Sequence, residues 1–470
     1  MKQVEESGIS FRLNGATVEA NGFPVTTTLL DFIRAQGLTG SKEGCAEGEC
    51  GACTVAVLEE HGSGCRYVPV NSCLMLLPMA AGLEIYTVEA LAQEGKLAEV
   101  QQAMVDTGGS QCGYCTPGFV MSMFCEQYRP GRSGPCDVQA LGGNLCRCTG
   151  YRPIRDAVLS LGPAPAGALR DRLVNPVPTR STVRYTQNGR RFYRPARLAE
   201  CLQLLAQHEG ARLVAGGTDL VVESNLRERC PSILVSTEGL PGLREFSESD
   251  DTIRFGAGLT LSEIEARWRR PPSAIHDWLA LFASPQIRNR ATLAGNLATA
   301  SPIGDTAPLL LALDAAVVVA APDGVRTVPI GSFFRGYRQT DLSPTEIITA
   351  IEIPKPFPEN ARFYKVAKRR VDDISTVAAC LAVKVDGRNR VEQARFAYGG
   401  VAATPLRSIA AEEATLGLAW SMGAVRKAQE ALARTLKPIS DHRGSAEYRL
   451  AMAQMLIERY WHEPRTEAAA

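Results

Sequence analysis

Gly44-Cys45-Ala46-Glu47-Gly48-Glu49-Cys50-Gly51-Ala52-Cys53 spaces its thiols as Cys-x4-Cys-x2-Cys, and Cys73 follows after another 19 residues. A plant-type ferredoxin wraps a 2Fe-2S cluster with this spacing. Gly44, Gly48 and Gly51 suit it, because a loop wound round a cluster needs positive φ and must turn amide N–H groups toward sulfur. A structural zinc site or core thiols are the alternatives, although zinc sites more usually pair two short Cys-x2-Cys knuckles. Working outward, residues 9–13 and 16–20 alternate as strands around Asn14-Gly15, the signature of a tight hairpin. Thr27 or Thr28 can cap a helix that runs through Arg34 and stops at Gly37, and 54–58, 67–70 and 83–86 read as further strands. Residues 1–92 are thus expected to be a compact mixed fold built on a small sheet around this cysteine loop.

A second set follows in Cys112-Gly113-Tyr114-Cys115 and Cys146-Arg147-Cys148. Taken alone it fits a zinc knuckle or a redox dithiol equally. Pro117 after one pair, and Gly142, Gly143 and Gly150 around the other, place both pairs in loops bordering helices, as a bridged dinuclear cluster requires. Expected ligands are therefore Cys45, Cys50, Cys53 and Cys73 for one cluster and Cys112, Cys115, Cys146 and Cys148 for the other. Cys65 lies outside the spacing and reads as a free thiol; Cys125, ten residues after Cys115, reads as packing. Cys136, in a Gly/Pro loop, stays ambiguous. From residue 97 the period turns helical, with Val100, Met104 and Val105 on one face, then helices over 117–124 and 153–161. Residues 93–161 are expected to form a separate helical 2Fe-2S domain with a four-helix arrangement.

Eleven of the 14 cysteines fall between 45 and 148, which in a reducing compartment signals metal ligation or catalysis more than disulfides. The 470 residues, 45% apolar and 21% charged, suit about three globular domains and exclude disorder as the main state. With 51 Lys and Arg against 50 Asp and Glu, no net field draws the chain to nucleic acid or anionic lipid. The opening ten residues are polar and acidic, and the longest apolar run, 307–321, is broken by Asp314. Neither a signal peptide nor a membrane span is expected, and the location expected is cytoplasmic.

Residues 162–185 hold Pro163, Pro165, Pro176 and Pro178 with no sustained apolar period and read as a linker. Beyond it strands and helices alternate over 186–357, with strands expected at 212–215, 233–235, 253–256, 316–320 and 347–353, and a C-terminal domain follows over 358–470. That last domain reads as a strand at 362–367, a hairpin of 381–385 with 391–398, and amphipathic helices at 424–436 and 446–461. Leu213, Val214, Ala215, Gly216, Gly217, Thr218, Asp219 and Leu220 run from a strand through a glycine turn into a helix, a geometry that lets backbone N–H groups approach a pyrophosphate. A plain glycine turn is the commoner explanation, and with no Gly-x-Gly-x-x-Gly a Rossmann site is not supported. A second polar glycine stretch, 292–305, around Gly295 could clasp the same ligand, with Asn296, Thr299 and Ser301 as hydrogen-bonding groups. Residues 365–374 set a basic strand before Asp372 and Asp373; this is either a solvated charge run or a cation and acids placed beside a flavin. His61, His208, His276, His442 and His462 show no metal-ligand spacing.

Gly44 through Cys53, Gln111 through Gly118 and Gly143 through Tyr151 closely resemble the twin 2Fe-2S region of the xanthine dehydrogenase and aldehyde oxidase family of molybdenum hydroxylases. The resemblance continues past the linker and stops where the family's molybdopterin-binding portion would begin. It implies an α+β multidomain chain with a β-grasp, ferredoxin-like domain over 1–92, a helical 2Fe-2S domain, a flavin domain of the vanillyl-alcohol-oxidase type and a C-terminal α+β domain. It also implies FAD held by the two glycine loops, with Asp305 near the ribityl or diphosphate region, Lys365 near the ring, Asp372 and Asp373 on the adjoining loop, and Ile348 and Tyr337 in the neighbourhood. The chain is then expected to be the electron-transfer subunit of a molybdenum-dependent xanthine dehydrogenase. Hydroxylation of xanthine or hypoxanthine to urate falls to a large molybdopterin-binding partner, so this chain carries no catalytic residue for that step. Electrons pass through the helical-domain cluster, the N-terminal cluster and FAD to NAD, in an assembly of two copies of each chain. An aldehyde or N-heterocycle hydroxylase subunit, or a non-enzymatic redox sensor, are the rival readings.

Overall fold

In the computed structural model, which describes residues 8–177 and 180–463, the strand after the first cysteine loop, Thr54–His61, serves two cores at once. Val55 and Val57 point into a core with Leu29, Leu30, Phe32 and Ile33, while Ala56 and Leu58 point into another with Phe119, Val120, Met123 and Phe124. Burial on both faces explains why 54–58 reads as a continuous apolar run and not an alternating one. The sheet has five strands in the order Ala16–Glu19, Ser10–Leu13, Glu84–Tyr86, Thr54–His61, Gly64–Asn71. Its central pairing, Ser10–Leu13 with Glu84–Tyr86, is parallel, as the β-grasp reading requires. Asn14 and Gly15 take φ of 53° and 85° at the hairpin turn. The helix Leu29–Ala35 starts from a capping box in which Asp31 N donates to Thr28 Oγ1 and Thr28 N donates to Asp31 Oδ2, each at 3.1 Å.

The second core encloses the helix Thr116–Gln127, whose residues from Gly118 to Gln127 are all buried. Glu99–Asp106, Arg152–Ser160 and the 3-10 turn Val138–Leu141 surround it, so three α-helices and a tight turn stand where four helices were expected. Val105, expected on the buried face, is 62% exposed, and that face consists of Val100, Ala103 and Met104.

The stretch 162–185, expected as a linker, carries structure. A helix Ala168–Asp171 and a turn Arg172–Val174 lie on the sheet, where Arg172 grips Glu84 (Nη2 to Oε2, 2.9 Å) and the Tyr67 hydroxyl donates to Leu169 O at 3.0 Å. A strand, Val183–Gln187, starts before the stretch ends. Proline and glycine set its local shape, but long-range partners unreadable from local pattern hold it. Residues 1–7, Pro178, Thr179 and residues 464–470 lie outside the described residues.

The chain forms two compact units, one running to Pro241 and taking in Ala283–Ala291, the other comprising Gly242–Phe282 and the chain from Thr292. The expected 186–357 segment is thus shared between them. In the first unit, Val183–Gln187, Arg190–Arg194, Ile233–Ser236 and Arg212–Val214 form a four-stranded sheet in that order, and Val183, Phe192, Val214 and Leu234 join the ferredoxin-like core. In the second, Phe246–Glu248, Thr252–Gly256, Ile347–Pro354, Ala316–Ala321 and Gly324–Pro329 form an antiparallel five-stranded sheet. A further sheet of Arg362–Val366, Val377–Val385, Val391–Gly399 and Leu406–Arg407 packs under the helices Met422–Thr435 and Ala446–His462. Asp314, which breaks the apolar run, takes φ 50° between a helix and a strand and pairs with Arg395 and Arg407 of this last sheet.

Candidate functional site

The first cysteine loop is shaped by left-handed residues, Ala46 at φ 57°, Gly48 at 85° and Gly51 at 64°. A Cβ on Gly48 would come within 2.9 Å of Ile287 Cδ1 and crowd Leu74, so the loop accepts only glycine there. The four thiols come in pairs. Cys50 N donates to Cys45 Sγ at 3.4 Å and their thiols hydrogen-bond, while the Cys53 and Cys73 sulfurs are 3.3 Å apart. The Cys50 thiol outweighs burial and, with the amides of Glu47, Cys50 and Glu49, holds the Cys45 thiol well below its ordinary value. Asn71 donates to Gly48 O at 2.9 Å, and Asn225 donates to Ala46 O and Cys73 O, both at 2.9 Å, fixing the loop from two sides.

The second set repeats the pairing: Cys112 bonds Cys148, and Cys115 bonds Cys146. Cys115 is the N-cap of Thr116–Gln127, with Pro117 at the start of that helix, as the sequence suggested. Burial pushes the Cys146 thiol up, but the Thr149 hydroxyl (3.1 Å) and Thr149 N (3.4 Å) outweigh it and bring it below its ordinary value. Among the described residues no three His, Cys, Asp or Glu side chains gather as ligands of one ion. Two pairs of thiols facing each other are what two bridged irons need, one pair to each iron, and so the donor sets fit dinuclear clusters. The sets differ in exposure, for Cys53 and Cys73 are buried whereas Cys112 and Cys148 lie at the surface beside the exposed Tyr114 and Tyr151. Cys65, Cys125 and Cys136 are buried free thiols outside both sets, and burial drives the Cys125 thiol far up.

Of the expected flavin residues, Leu213 to Leu220 belong to the first unit and the others to the second. Arg212–Val214 leads through Gly216 and Gly217 into the helix Leu220–Arg227. A Cβ on Gly216 would strike Arg290 O; on Gly217, at φ 82°, it would stand 2.8 Å from Leu74 O, next to Cys73. A side chain at 217 therefore presses on the first cysteine loop, and the glycine turn is not independent of that set. In the second unit Thr292 caps Leu293–Ala298, accepting from Gly295 N at 2.9 Å, and Thr299 donates to Asn296 O at 2.8 Å. Ser301 accepts from Ile303 N. Lys365 Nζ lies 2.8 Å from Asp305 Oδ2, and Ser375 donates to Asp305 Oδ1. Ile348 is buried in Ile347–Pro354, Asp372 takes φ 64°, Asp373 accepts from Arg369 N at 3.0 Å, and Tyr337 is 63% exposed.

Asn71, Asn225 and Ser375 were missed because each acts on a partner that no local spacing identifies, and Thr149 was missed as well. Thr149 alone had a local signal, a hydroxyl one residue past Cys148 and three past Cys146.

Four family models tile this geometry: a 2Fe-2S iron-sulfur cluster binding domain over 11–77, a [2Fe-2S] binding domain over 87–159, the FAD binding domain in molybdopterin dehydrogenase over 185–356, and the CO dehydrogenase flavoprotein C-terminal domain over 362–464. A solved chain of carbon monoxide dehydrogenase from Hydrogenophaga pseudoflava matches 57% of this chain and 94% of its own length, at 32% identity and TM-score 0.55. The chain belongs to the molybdenum hydroxylase family. Within that family it is a 2Fe-2S and FAD electron-transfer module. A solved chain of quinoline 2-oxidoreductase from Pseudomonas putida 86 matches the same shares at 31% identity and TM-score 0.54. Among the family's curated members, the xanthine dehydrogenase of Emericella nidulans is 31% identical across 98% of this chain and 39% of its own length. That of Oryza sativa subsp. japonica is 33% identical across 85% and 35%. The chain thus spans well under half the length of these two relatives. Among the described residues, no helix is long and apolar enough to cross a membrane.

Proposed function

We propose that this chain is the electron-exit component of a cytoplasmic two-component xanthine dehydrogenase, taking electrons from a large molybdopterin-binding chain and delivering them to NAD. The observation that carries this reading is the pairwise approach of eight thiols in two sets on a chain that continues into an FAD-binding half. In this reading Cys45, Cys50, Cys53 and Cys73 hold one 2Fe-2S cluster, and Cys112, Cys115, Cys146 and Cys148 the other. FAD is the ligand proposed for Leu213 to Leu220 in the first unit and for Gly295, Asn296, Thr299, Ser301, Asp305, Ile348, Lys365 and Asp372 in the second, each stretch taken by itself. When bound, these groups supply one-electron carriage and, at the flavin, two-electron hydride exchange.

The chain's own residues hold thiolates in place, aim amides at their sulfurs and keep water from Cys53 and Cys73. The exposure of Cys112 and Cys148 supports electron entry at the helical set, from a donor that docks there, with the set of Cys45, Cys50, Cys53 and Cys73 second and FAD last. Likeness to xanthine dehydrogenases, along 98% of the chain for that of Emericella nidulans, favours a purine-oxidising partner, in an assembly of two copies of each chain. Likeness to a quinoline oxidoreductase keeps an N-heterocycle hydroxylase as the second reading.

The test is activity with and without the large chain. Alone, the chain should reduce an artificial dye from NADH and leave xanthine untouched; with the large chain, xanthine should reduce NAD, with oxygen a slow acceptor. Oxidation of xanthine by the isolated chain would overturn the division of labour. Turnover with oxygen as fast as with NAD would overturn the acceptor, and turnover of an N-heterocycle in place of xanthine would select the second reading.

A further inference from the structure

Between the two cysteine sets lies a buried polar knot centred on Asn144, two residues before Cys146. Asn144 is 3% exposed and uses both ends of its amide. Its Nδ2 donates to Gly51 O at 3.1 Å and Thr54 Oγ1 at 3.4 Å, on the first cysteine loop and the strand after it. Its Oδ1 accepts from Ser122 Oγ at 2.7 Å and Gln286 Nε2 at 3.0 Å. Gln286 also donates to Ser122 Oγ at 3.0 Å, closing a triangle whose other two members are each 1% exposed. Ser122 comes from the helix that Cys115 caps. Gln286 comes from Ala283–Ala291, a segment held in the first unit also by Asn289, which donates to Pro69 O at 2.8 Å.

The knot presses two loops together. Leu145 N donates to Cys50 O at 3.0 Å, which joins the residue before Cys146 to a residue of the other set. A Cβ on Gly51 would collide with Gly143 O and come within 2.5 Å of Asn144 Nδ2, and one on Gly118 would collide with Gly51 O. Backbones meet here with no side chain between them, and glycine permits that approach. Every polar atom of the Asn144 and Ser122 side chains in the knot is paired, Gln286 is bound through Nε2 while its Oε1 is buried without a partner among the described residues, and such directional contacts fix one geometry where apolar packing would tolerate several.

We propose that Asn144 is a positioning residue that clamps the second cysteine loop onto the first and thereby sets the electronic coupling between the two clusters. The proposal rests on the reading of both thiol sets as 2Fe-2S ligands. Exchange between two paramagnetic centres falls steeply with separation, and the Leu145–Cys50 hydrogen bond is the short connection that Asn144 stabilises.

The experiment compares the full chain with its Asn144→Ala and Ser122→Ala variants, by iron content and by low-temperature paramagnetic resonance during stepwise reduction. The parent should show two cluster signals and a splitting when both clusters are reduced. Asn144→Ala should keep its iron and both individual signals while the splitting falls at least about twofold, and Ser122→Ala should lie between. Unchanged splitting in iron-replete Asn144→Ala overturns the proposal, as does a parent with two signals and no splitting. If Asn144→Ala does not load iron, Ser122→Ala decides by the same criterion. Failure of both variants to load also overturns it, because Asn144 would then be needed for the cluster and not for coupling. A parent lacking one of the two signals defeats the two-cluster reading itself.

Discussion

Replacing Asp305 by alanine should be among the most damaging single changes in the second unit. Lys365 Nζ lies 2.8 Å from its carboxylate, and the two side chains are 3% and 5% exposed. Ser375 donates to the other carboxylate oxygen. Removing that carboxylate strands an ammonium group and a hydroxyl away from water, and one-sided loss of a buried pair costs about 3–5 kcal/mol. At a denaturant slope of about 2 kcal/mol per molar urea, the unfolding midpoint falls by about 1.5–2.5 M. Lys365→Met makes the mirror-image half-pair and should lose a comparable amount. The double variant removes both charges and should recover much of the loss, giving a coupling energy of about 2–3 kcal/mol in the cycle. Tryptophan fluorescence follows this unit alone, because all four tryptophans, Trp268, Trp278, Trp420 and Trp461, belong to it. A midpoint shift under about 0.5 M for Asp305→Ala, or additive losses in the double variant, would refute the reasoning.

Burial pushes the Glu84 carboxyl up, but Arg172, the Tyr86 hydroxyl and Arg12 outweigh it and hold it below the ordinary 4.5. A carboxylate with a depressed folded-state pKa stabilises above its unfolded value and loses that contribution as pH falls through the folded one. The 168–174 segment should therefore become protease-sensitive below about pH 4.5, and Glu84→Gln should be sensitive at neutral pH as well; equal resistance at pH 3 and pH 7 in the parent would contradict this. Gly217→Val forces a side chain to φ 82° and against Leu74 O beside Cys73, so iron and FAD contents should fall together, and loss of FAD alone would show that the loop does not bear on the cysteine set. Cys148→Ser should remove one cluster signal and Cys50→Ser the other, and loss of both from either change would contradict separate ligand sets.

Local chemistry made much of this legible. The cysteine spacings and the glycines between them mark both thiol sets, and Asn14-Gly15, Thr28 and Pro117 mark the turn, cap and helix start that the structure contains. What stayed hidden depends on distance along the chain. Residues 162–185 look like a linker because the partner of Arg172 is Glu84, 88 residues away, and the grip of Tyr67 on Leu169 spans 102. Val105 fits the apolar period but falls at the edge of the helix face, where Ala103 packs instead. Gln286 stands 142 residues from Asn144, and nothing in either neighbourhood signals the contact. The glycine turn at 216–217 reads as a plain turn or a ligand cradle, and what the sequence does not show is that each glycine also faces a backbone carbonyl of the chain itself, Arg290 O or Leu74 O.

The central claim is that one chain carries two dinuclear iron–sulfur clusters and a flavin. Iron, acid-labile sulfide and FAD content of the purified chain, measured together with resonance spectra during anaerobic reduction, test it most directly. The account predicts about four irons, four sulfides and one FAD per chain, with two distinguishable reduced-cluster signals. Zinc in place of iron, or about two irons with a single signal, would contradict it.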